Sequence, residues 1–146
     1  MAEPILSIQY SDRDIRDRLQ RLQRKVGDLT PAMKNIGEAL LLSTDQRFET
    51  ETDVQGRDWQ PLSARTINQK QRDRRILKVL QSTGLMRSRT SYRAERDQVI
   101  VGNNDEKAAK HQLGIGVPKR EFLGVSDEDN IEILSILNSY LNEEYE

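Results

Sequence analysis

The chain has 146 residues, no cysteine and a formal net charge of -1 at pH 7, which fits one domain and excludes disulfides, thiolate metal sites and cysteine nucleophiles. Charged residues make up 32% of the chain and aromatic residues only 5%, which predicts a thin aliphatic core beneath an ionic surface. No basic leader opens the sequence and no stretch approaches the roughly 20 apolar residues that span a bilayer, so we expect a soluble, cytoplasmic protein without membrane contact.

Charge is segregated along the chain in spite of the small net value. Residues 65–96 contain ten Lys or Arg against two acids, whereas residues 121–146 contain eight acids and no base. Two such segments either neutralise each other within one chain or meet head to tail between copies. The sequence leaves both options open.

A short strand followed by a helix is predicted at the N-terminus. Apolar and polar residues alternate from Leu6 to Tyr10 after Pro4, which is the period of a half-buried strand. Ser11 is the predicted N-cap of the helix, and Gly27 is expected to end it. The apolar positions of this helix recur at spacings of three and four and form one stripe: Ile15, Leu19, Leu22 and Val26.

A second helix is expected to begin at Thr30 and Pro31, because a capping residue followed by proline is a typical helix start. Its apolar face extends it to about residue 47 or 51 and consists of Met33, Ile36, Leu40, Thr44 and Phe48. Since the connection between the two helices is short, we expect them to form an antiparallel pair.

The middle of the chain is predicted to be rich in loops. Residues 50–66 are polar and lack a period, so they indicate a loop that Trp59 anchors in the core. Ser63 caps a short helix through Lys70, and an arginine-rich linker follows. The next features are a brief helical turn at Ile76, Leu77 and Leu80 and a break at Thr83 and Gly84.

An antiparallel hairpin is predicted from residues 90–95 and 98–101, joined by two residues. The side chains expected on its inner face are Tyr92, Ala94, Val99 and Val101. A short helix within residues 105–114 then stops at Gly114.

The last predicted element is a helix that Ser126 caps and that begins with acids at residues 127–129, where the helix dipole favours negative charge. Its apolar stripe consists of Ile133, Leu134, Leu137, Tyr140 and Leu141, and its tail is acidic. We therefore predict one α+β domain over residues 1–146. In it, the N-terminal helix pair and the C-terminal helix pack on a small antiparallel sheet built from the hairpin, the first strand and, as an option, the segment near Phe122.

This single domain has four parts, namely residues 1–52 with the first strand and helix pair, the basic loop-rich segment 53–90, residues 91–124 with the hairpin and short helix, and residues 125–146 with the acidic tail. No part carries a recognisable catalytic pattern. His111 is the only histidine and has no neighbours at metal-ligand spacing, and the glycines near it lack the spacing of a phosphate loop. We expect no enzyme activity, metal or cofactor.

The competing hypothesis is nucleic-acid binding. Seven cations are available to neutralise phosphates: Arg72, Arg74, Arg75, Lys78, Arg87, Arg89 and Arg93. Only one aromatic residue, Tyr92, lies among them, which gives base stacking little support.

Five short motifs, taken in order, resemble the phage virion morphogenesis or tail completion family of Mu-like and related tailed phages. They are Gly56-x-x-Trp59-x-Pro61-Leu62-Ser63-x-x-Thr66 with Lys70, Leu77-x-x-Leu80-x-Ser82-x-Gly84-Leu85-x-x-Ser88, Val99 to Gly102, His111-Gln112-Leu113-Gly114, and Pro118-x-Arg120-x-Phe122-Leu123-Gly124. The resemblance covers about residues 55 to 141. It depends on the order and the spacing of the five motifs taken together.

The resemblance implies a structural virion protein, assembled in the host cytoplasm, that completes the head-proximal end of the tail or belongs to the neck. Implied partners are copies of itself in a ring, six by analogy with tail symmetry, together with tail tube, sheath and head-tail connector proteins and DNA passing through the lumen. Expected interface residues are Arg72, Arg74, Arg75, Lys78, Arg87, Arg89, Lys119, Arg120, Asp127 and Glu128. Expected structural anchors are Trp59, His111, Gln112, Gly114, Phe122, Leu123 and Gly124.

Overall fold

A computed structural model describes residues 6–7, 10–81 and 85–145, of which 85 and 143–145 are described by their backbone alone. The elements are, in order, β1 (Leu6–Ser7), α1 (Arg13–Val26), α2 (Thr30–Thr50), α3 (Ala64–Arg72), α4 (Leu85–Ser88), β2 (Thr90–Ala94), β3 (Val99–Asn103), α5 (Ala108–Leu113) and α6 (Asp127–Tyr145). This mixture of helices with a small antiparallel sheet is the predicted α+β class.

The sheet has the strand order β1-β3-β2, with both pairs antiparallel. The predicted hairpin is confirmed: β2 and β3 pair in a register that places Tyr92 opposite Val101 and Ala94 opposite Val99. α2 crosses this sheet, and the Tyr92 ring lies against Gly37, where no Cβ intervenes. The hairpin is therefore fixed on α2 by close backbone approach.

The first strand is shorter than the alternation indicates. β1 consists of Leu6 and Ser7, which add to the free edge of β3. Ile8 and Gln9 of the predicted strand lie outside the described residues, and Tyr10 is exposed and not in the strand.

The two N-terminal helices follow each other in the chain, but each has another element as its main packing neighbour. α1 and α2 both pack on α6, and α2 also packs on β2 and β3. The reason is the apolar stripe of α6, from which Ile133, Leu137 and Leu141 are buried in one cluster with residues of both helices. A central helix with a stripe this continuous offers each N-terminal helix more apolar area than they offer each other.

The helix starts follow local capping chemistry. Asp12, not Ser11, caps α1, and its side chain accepts a hydrogen bond from the Ile15 amide at 3.1 Å. α6 begins as predicted at Ser126, whose hydroxyl accepts from the Asp129 amide while the Asp129 carboxylate accepts from the Ser126 amide, both at 3.0 Å. This reciprocal pair fixes the start of α6.

The buried apolar residues form two clusters. The first lies between α1, α2 and α6 and contains Leu22, Met33 and Leu137 among others. The second lies between the end of α2, the loops and α5, and contains Phe48, Trp59, Ala108, Phe122 and Leu123 among others. We call these two regions the helical end and the loop-rich end.

Two predictions for the loop-rich end differ from the structure. Residues 76–80 form an irregular stretch and a turn, not a helical turn. The Gln81 amide donates to the Lys78 carbonyl at 3.3 Å, which is the spacing of a turn, and Leu80 has φ 61°. The segment near Phe122 is not a strand of the sheet. The predicted break at Thr83 and Gly84 lies outside the described residues.

Candidate assembly surface

Arg47 is a buried cation that joins α2 to the start of α6. Its guanidinium donates to the Asp129 carboxylate at 2.6 Å, to the Phe122 carbonyl at 2.7 Å and to the Gly124 carbonyl at 3.3 Å. Both partners of the ion pair are buried. Burial lowers the pKa of Arg47, and the charge of Asp129 opposes that change. Because the pair is dry and fully hydrogen bonded, its loss is costly.

Gln112, a predicted structural anchor, binds the backbone of Phe122 and Leu123. Its amide oxygen accepts from the Phe122 and Leu123 amides, both at 3.0 Å, and its amide nitrogen donates to the Leu123 carbonyl at 2.8 Å. Phe122 and Leu123 are buried in the core of the loop-rich end. One side chain thus supplies the hydrogen bonds that a neighbouring strand would make.

Three aromatic rings form the centre of the loop-rich end. The Phe48 ring centroid lies 5.6 Å from that of Trp59, edge to face, and 5.3 Å from that of Phe122. The indole of Trp59 donates to the Glu121 carbonyl at 2.9 Å. The expected anchoring of the 50–66 loop by Trp59 is therefore what the structure has.

Glycines 114 and 124 lie at turns of this region for different reasons. Gly114 ends α5 with φ 73°, in the left-handed region that favours glycine, as the sequence predicts. At Gly124 a Cβ would lie 2.5 Å from Cγ2 of Val54, so close packing excludes a side chain there.

Arg120 is a correction to the expected interface. It is buried, and its guanidinium donates to the Gln60 carbonyl at 2.9 Å and to the Pro61 carbonyl at 3.2 Å. Its role is to hold the loop before α3. Lys119, its neighbour in the expected interface, is exposed.

Beside Arg120 a basic cleft of about 410 Å³ opens, with Lys70, Arg75, Lys107 and His111 also in its lining. Lys70 is buried and donates to the Lys78 carbonyl at 2.9 Å. Burial lowers the pKa of Lys70, and the nearby Arg120 lowers it further.

His111, the sole histidine, is half-buried at the wall of this cleft, and its Nδ1 has no hydrogen-bond partner in the part of the chain that is described. Burial lowers the pKa of the imidazole, and the charges of Arg120 and Lys107 lower it further. Among the described residues no group of three or more His, Cys, Asp or Glu is placed to hold a metal ion.

Much of the basic segment 65–96 is neutralised by acids from elsewhere. Arg87 pairs with Asp45 at 2.6 Å and with Glu49 at 3.0 Å, and Lys78 also contacts Glu49, at 3.5 Å. The hydrogen bond from Arg87 lowers the pKa of Asp45. These pairs lie within the chain and use acids of α2, not those of residues 121–146.

Arg89 is likewise paired, with Asp105 at 3.4 Å. Three expected interface residues, Lys78, Arg87 and Arg89, thus have acidic partners in their own chain, which leaves fewer cations available to nucleic acid phosphates.

A second set of expected interface residues remains exposed. Arg72 and Arg74 make no ion pair in the described parts of the chain, and Arg75 is exposed beside them. At the start of α6, Asp127 and Glu128 are exposed and, within the same described parts, have no cationic partner. The two segments of opposite charge are therefore not joined by the ion pairs of Lys78, Arg87, Arg89 or Asp129.

Sequence reasoning missed Arg47 as a structural cation, and it named Lys70 only as the end of a short helix and as part of a motif. Arg47 lies next to Phe48 and three residues after Thr44, which is on the apolar stripe of α2. A cation among stripe residues is a signal for a buried ion pair, since a buried charge requires a partner. Lys70 carries no comparable signal, because its burial depends on the path of the loop after α3.

The fold and surface define a small α+β domain with a tightly hydrogen-bonded loop region and exposed patches of both charges. The chain belongs to the phage virion morphogenesis family, whose model matches residues 10–142. The suspected family is thereby confirmed, and the protein has a role in assembly of the phage virion.

Neither the curated proteins nor the solved structures contain a match to this sequence. In the described parts of the chain, no helix combines the length and apolar character needed to cross a membrane.

Proposed function

We propose that this chain is a tail completion subunit, which forms a ring at the head-proximal end of the phage tail and enables the tail to join the head. The observation that carries the proposal is the presence, on different elements of a virion morphogenesis protein, of exposed charges of opposite sign that make no ion pair among the described residues. Basic charge remains at Arg72 and Arg74, and acidic charge at Asp127 and Glu128.

Two different patches on one subunit suit a heterologous interface. In such an interface the same two patches meet at every contact, and the assembly closes into a ring when the rotation between copies divides a full turn. Copies of this chain are therefore the first proposed partner, and six copies are expected by analogy with tail symmetry. The further proposed partners are the tail tube, the sheath and the head-tail connector.

We also propose that the protein acts without catalysis. The buried polar side chains at the loop-rich end hold backbone groups: Arg47, Lys70, Gln112 and Arg120 each donate to at least one carbonyl. Because these side chains bind carbonyls of their own chain, they stabilise the fold. This favours a role in assembly over a role in catalysis.

The experiment that tests this function is to locate the chain in intact particles by electron microscopy and to make particles in its absence. We expect density for a ring at the junction of tail and head, and, without the chain, free heads and unjoined tails. Supplying wild-type chain should restore joining. Infectious particles made without the chain, or the chain found only away from this junction, would contradict the proposal.

A further inference from the structure

The end of α3 and the loop after it carry exposed cations followed by exposed apolar residues. We call residues 72–77 the basic knob. Arg72, Arg74 and Arg75 are exposed, and so are Ile76 and Leu77, at 43% and 48%. Large aliphatic side chains at this exposure, next to cations of which two have no acidic partner, are suited to burial against another molecule.

The basic knob is held in place at both ends. The Arg74 amide donates to the Gln71 carbonyl at 3.2 Å, the Arg75 amide donates to the Lys70 carbonyl at 2.8 Å, and Arg74 has φ 54°. After the knob, Lys78 donates through its ammonium to the Glu49 carbonyl at 2.7 Å. A loop with fixed ends loses less conformational entropy when it docks.

A second surface, between α2 and α6, has the complementary character. A groove of about 500 Å³ runs there, and we call it the acidic groove. Its lining includes Glu128, Glu132 and Asp53, and Leu42, which is 61% exposed. Arg47, which also lines the groove, is committed to Asp129 and to backbone carbonyls. Asp53 is paired with Arg57 at 3.4 Å, so the acids of the groove that can face a partner are Glu128 and Glu132.

We propose that the basic knob of one copy docks into the acidic groove of the next copy. In this contact the knob's Arg72 and Arg74 face the groove's Glu128 and Glu132. The knob's Ile76 and Leu77 cover Leu42 of the groove. This inference rests on the proposed ring. Charge complementarity identifies the second copy as the occupant. The groove presents Glu128, Glu132 and an exposed leucine, and the knob presents Arg72, Arg74 and exposed aliphatic residues; none of these four charged residues has an ion pair among the described residues.

Nucleic acid fits these observations less well. Its phosphates would satisfy the arginines of the basic knob but leave Ile76 and Leu77 in water, and it would be repelled by the acidic groove. The knob and the groove lie on different elements, so the proposed contact joins two different surfaces and each copy would contact two neighbours. Such a contact propagates in one direction around a ring.

The test uses two full-length variants with reversed charge. The first carries Arg72→Glu and Arg74→Glu, and the second carries Glu128→Lys and Glu132→Lys. Each variant alone places like charges against each other, so we expect its self-assembly to weaken by about 100-fold or more, as like-charge contacts at interfaces do. A control with Arg13→Glu and Arg16→Glu makes the same charge change on exposed positions of α1 and should assemble like the wild type.

Mixing the two variants gives the decisive result. The reversed knob of the first matches the reversed groove of the second, and the unchanged knob of the second matches the unchanged groove of the first. We therefore expect the mixture to recover assembly in an alternating 1:1 complex with an even number of copies, as measured by native mass spectrometry and by joining of tails that lack the wild-type chain. Thermal unfolding of each variant checks that its fold is intact.

Several outcomes would overturn the inference. Single variants that assemble as the wild type does, or a mixture that stays as inactive as its components, would show that the knob and groove do not meet. Loss of DNA affinity in the first variant without recovery in the mixture would assign the knob to nucleic acid instead. In each case a wild-type ring at the tail end would leave the proposed function standing, whereas its absence from the tail would remove both.

Discussion

The helical end and the loop-rich end of the molecule are stabilised by different kinds of interaction. At the helical end, α1, α2 and α6 satisfy their own backbone groups, and their contact is made by aliphatic side chains such as Leu22, Met33 and Leu137. At the loop-rich end, backbone carbonyls of loops and helix ends accept hydrogen bonds from buried side chains: Arg47, Trp59, Lys70, Gln81, Asn103, Gln112 and Arg120.

The difference follows from the requirement that buried backbone groups be paired. A region without regular structure fulfils it with side chains, which makes it depend on particular polar residues and not only on apolar volume. Substitutions at the two ends should therefore have different consequences.

The largest effect is expected for Arg47→Met. It removes the guanidinium from two loop carbonyls and leaves the buried Asp129 without its partner, which should cost about 3–5 kcal/mol in the free energy of unfolding. Urea unfolding measures the loss. Arg21→Met, which breaks an exposed pair with Asp17 on α1, should change stability by less than about 1 kcal/mol. Equal losses in both variants would contradict the distinction between the ends.

The next effect is expected for Gln112→Met, which has similar size but no amide. It leaves the amides of Phe122 and Leu123 and the Leu123 carbonyl without their partner, and one unsatisfied buried group alone costs about 1–3 kcal/mol. We expect a loss of about 3 kcal/mol by urea unfolding, with faster amide hydrogen exchange at Phe122 and Leu123. Unchanged exchange at these two amides would show that Gln112 does not hold them.

A smaller effect separates backbone strain from packing at two glycines of the loop-rich end. Gly116 has φ 72° and open space around its Cβ position, whereas Gly114 ends α5 with φ 73° and would place a Cβ 2.9 Å from Cβ of Lys119. Both glycine to alanine changes should lose about 1 kcal/mol because alanine disfavours a positive φ. Gly114→Ala should lose more, because Lys119 must move. Thermal unfolding of the two variants should differ in that direction, and a greater loss for Gly116→Ala would contradict it.

The smallest effect concerns pH and the loop-rich end alone. The folded state lowers the pKa of His111 below its ordinary value of 6.5, with Arg120, Lys107 and Lys110 acting with burial and Asp105 opposing them. The unfolded chain then binds the proton more readily, so stability falls as pH drops below that value.

His111→Gln removes this contribution, so its stability should vary less between about pH 5 and 7 than that of the wild type. The carboxyls of Asp45 and Glu49, whose pKa Arg87 lowers, act at lower pH because their ordinary values are 3.8 and 4.5. Urea unfolding across this range measures the slope, and identical slopes would contradict the assignment.

Elements with a continuous period were predictable from the sequence. The stripe of α6, the Ser126 cap and the hairpin register follow from local spacing and turn chemistry, and so does the stripe of α1 except at Val26, which is 51% exposed at the end of the helix. The packing partner of α1 was not predictable, because an apolar stripe shows which face of a helix is buried but not which element covers it.

The loop-rich end was less predictable from the sequence, because its stability depends on hydrogen bonds between particular side chains and loop carbonyls. Trp59 and Gln112 were identified as anchors, but the burial of Lys70 and Arg120 depends on which carbonyls the loops bring near them. The acidic groove was only partly foreseen, because Leu42 and Glu132 approach one another across two helices distant in sequence.

The backbone of residues 121–124 is hydrogen bonded to side chains along its whole length. Its four consecutive carbonyls accept, in order, from Trp59, Arg47, Gln112 and Arg47 again, and Gln112 also takes two of its amides. An extended segment with open backbone groups invites another chain to extend it as a sheet and so to aggregate. Here those carbonyls and amides already have partners within the chain, which protects this stretch against strand addition by another molecule in a protein with a role in virion assembly.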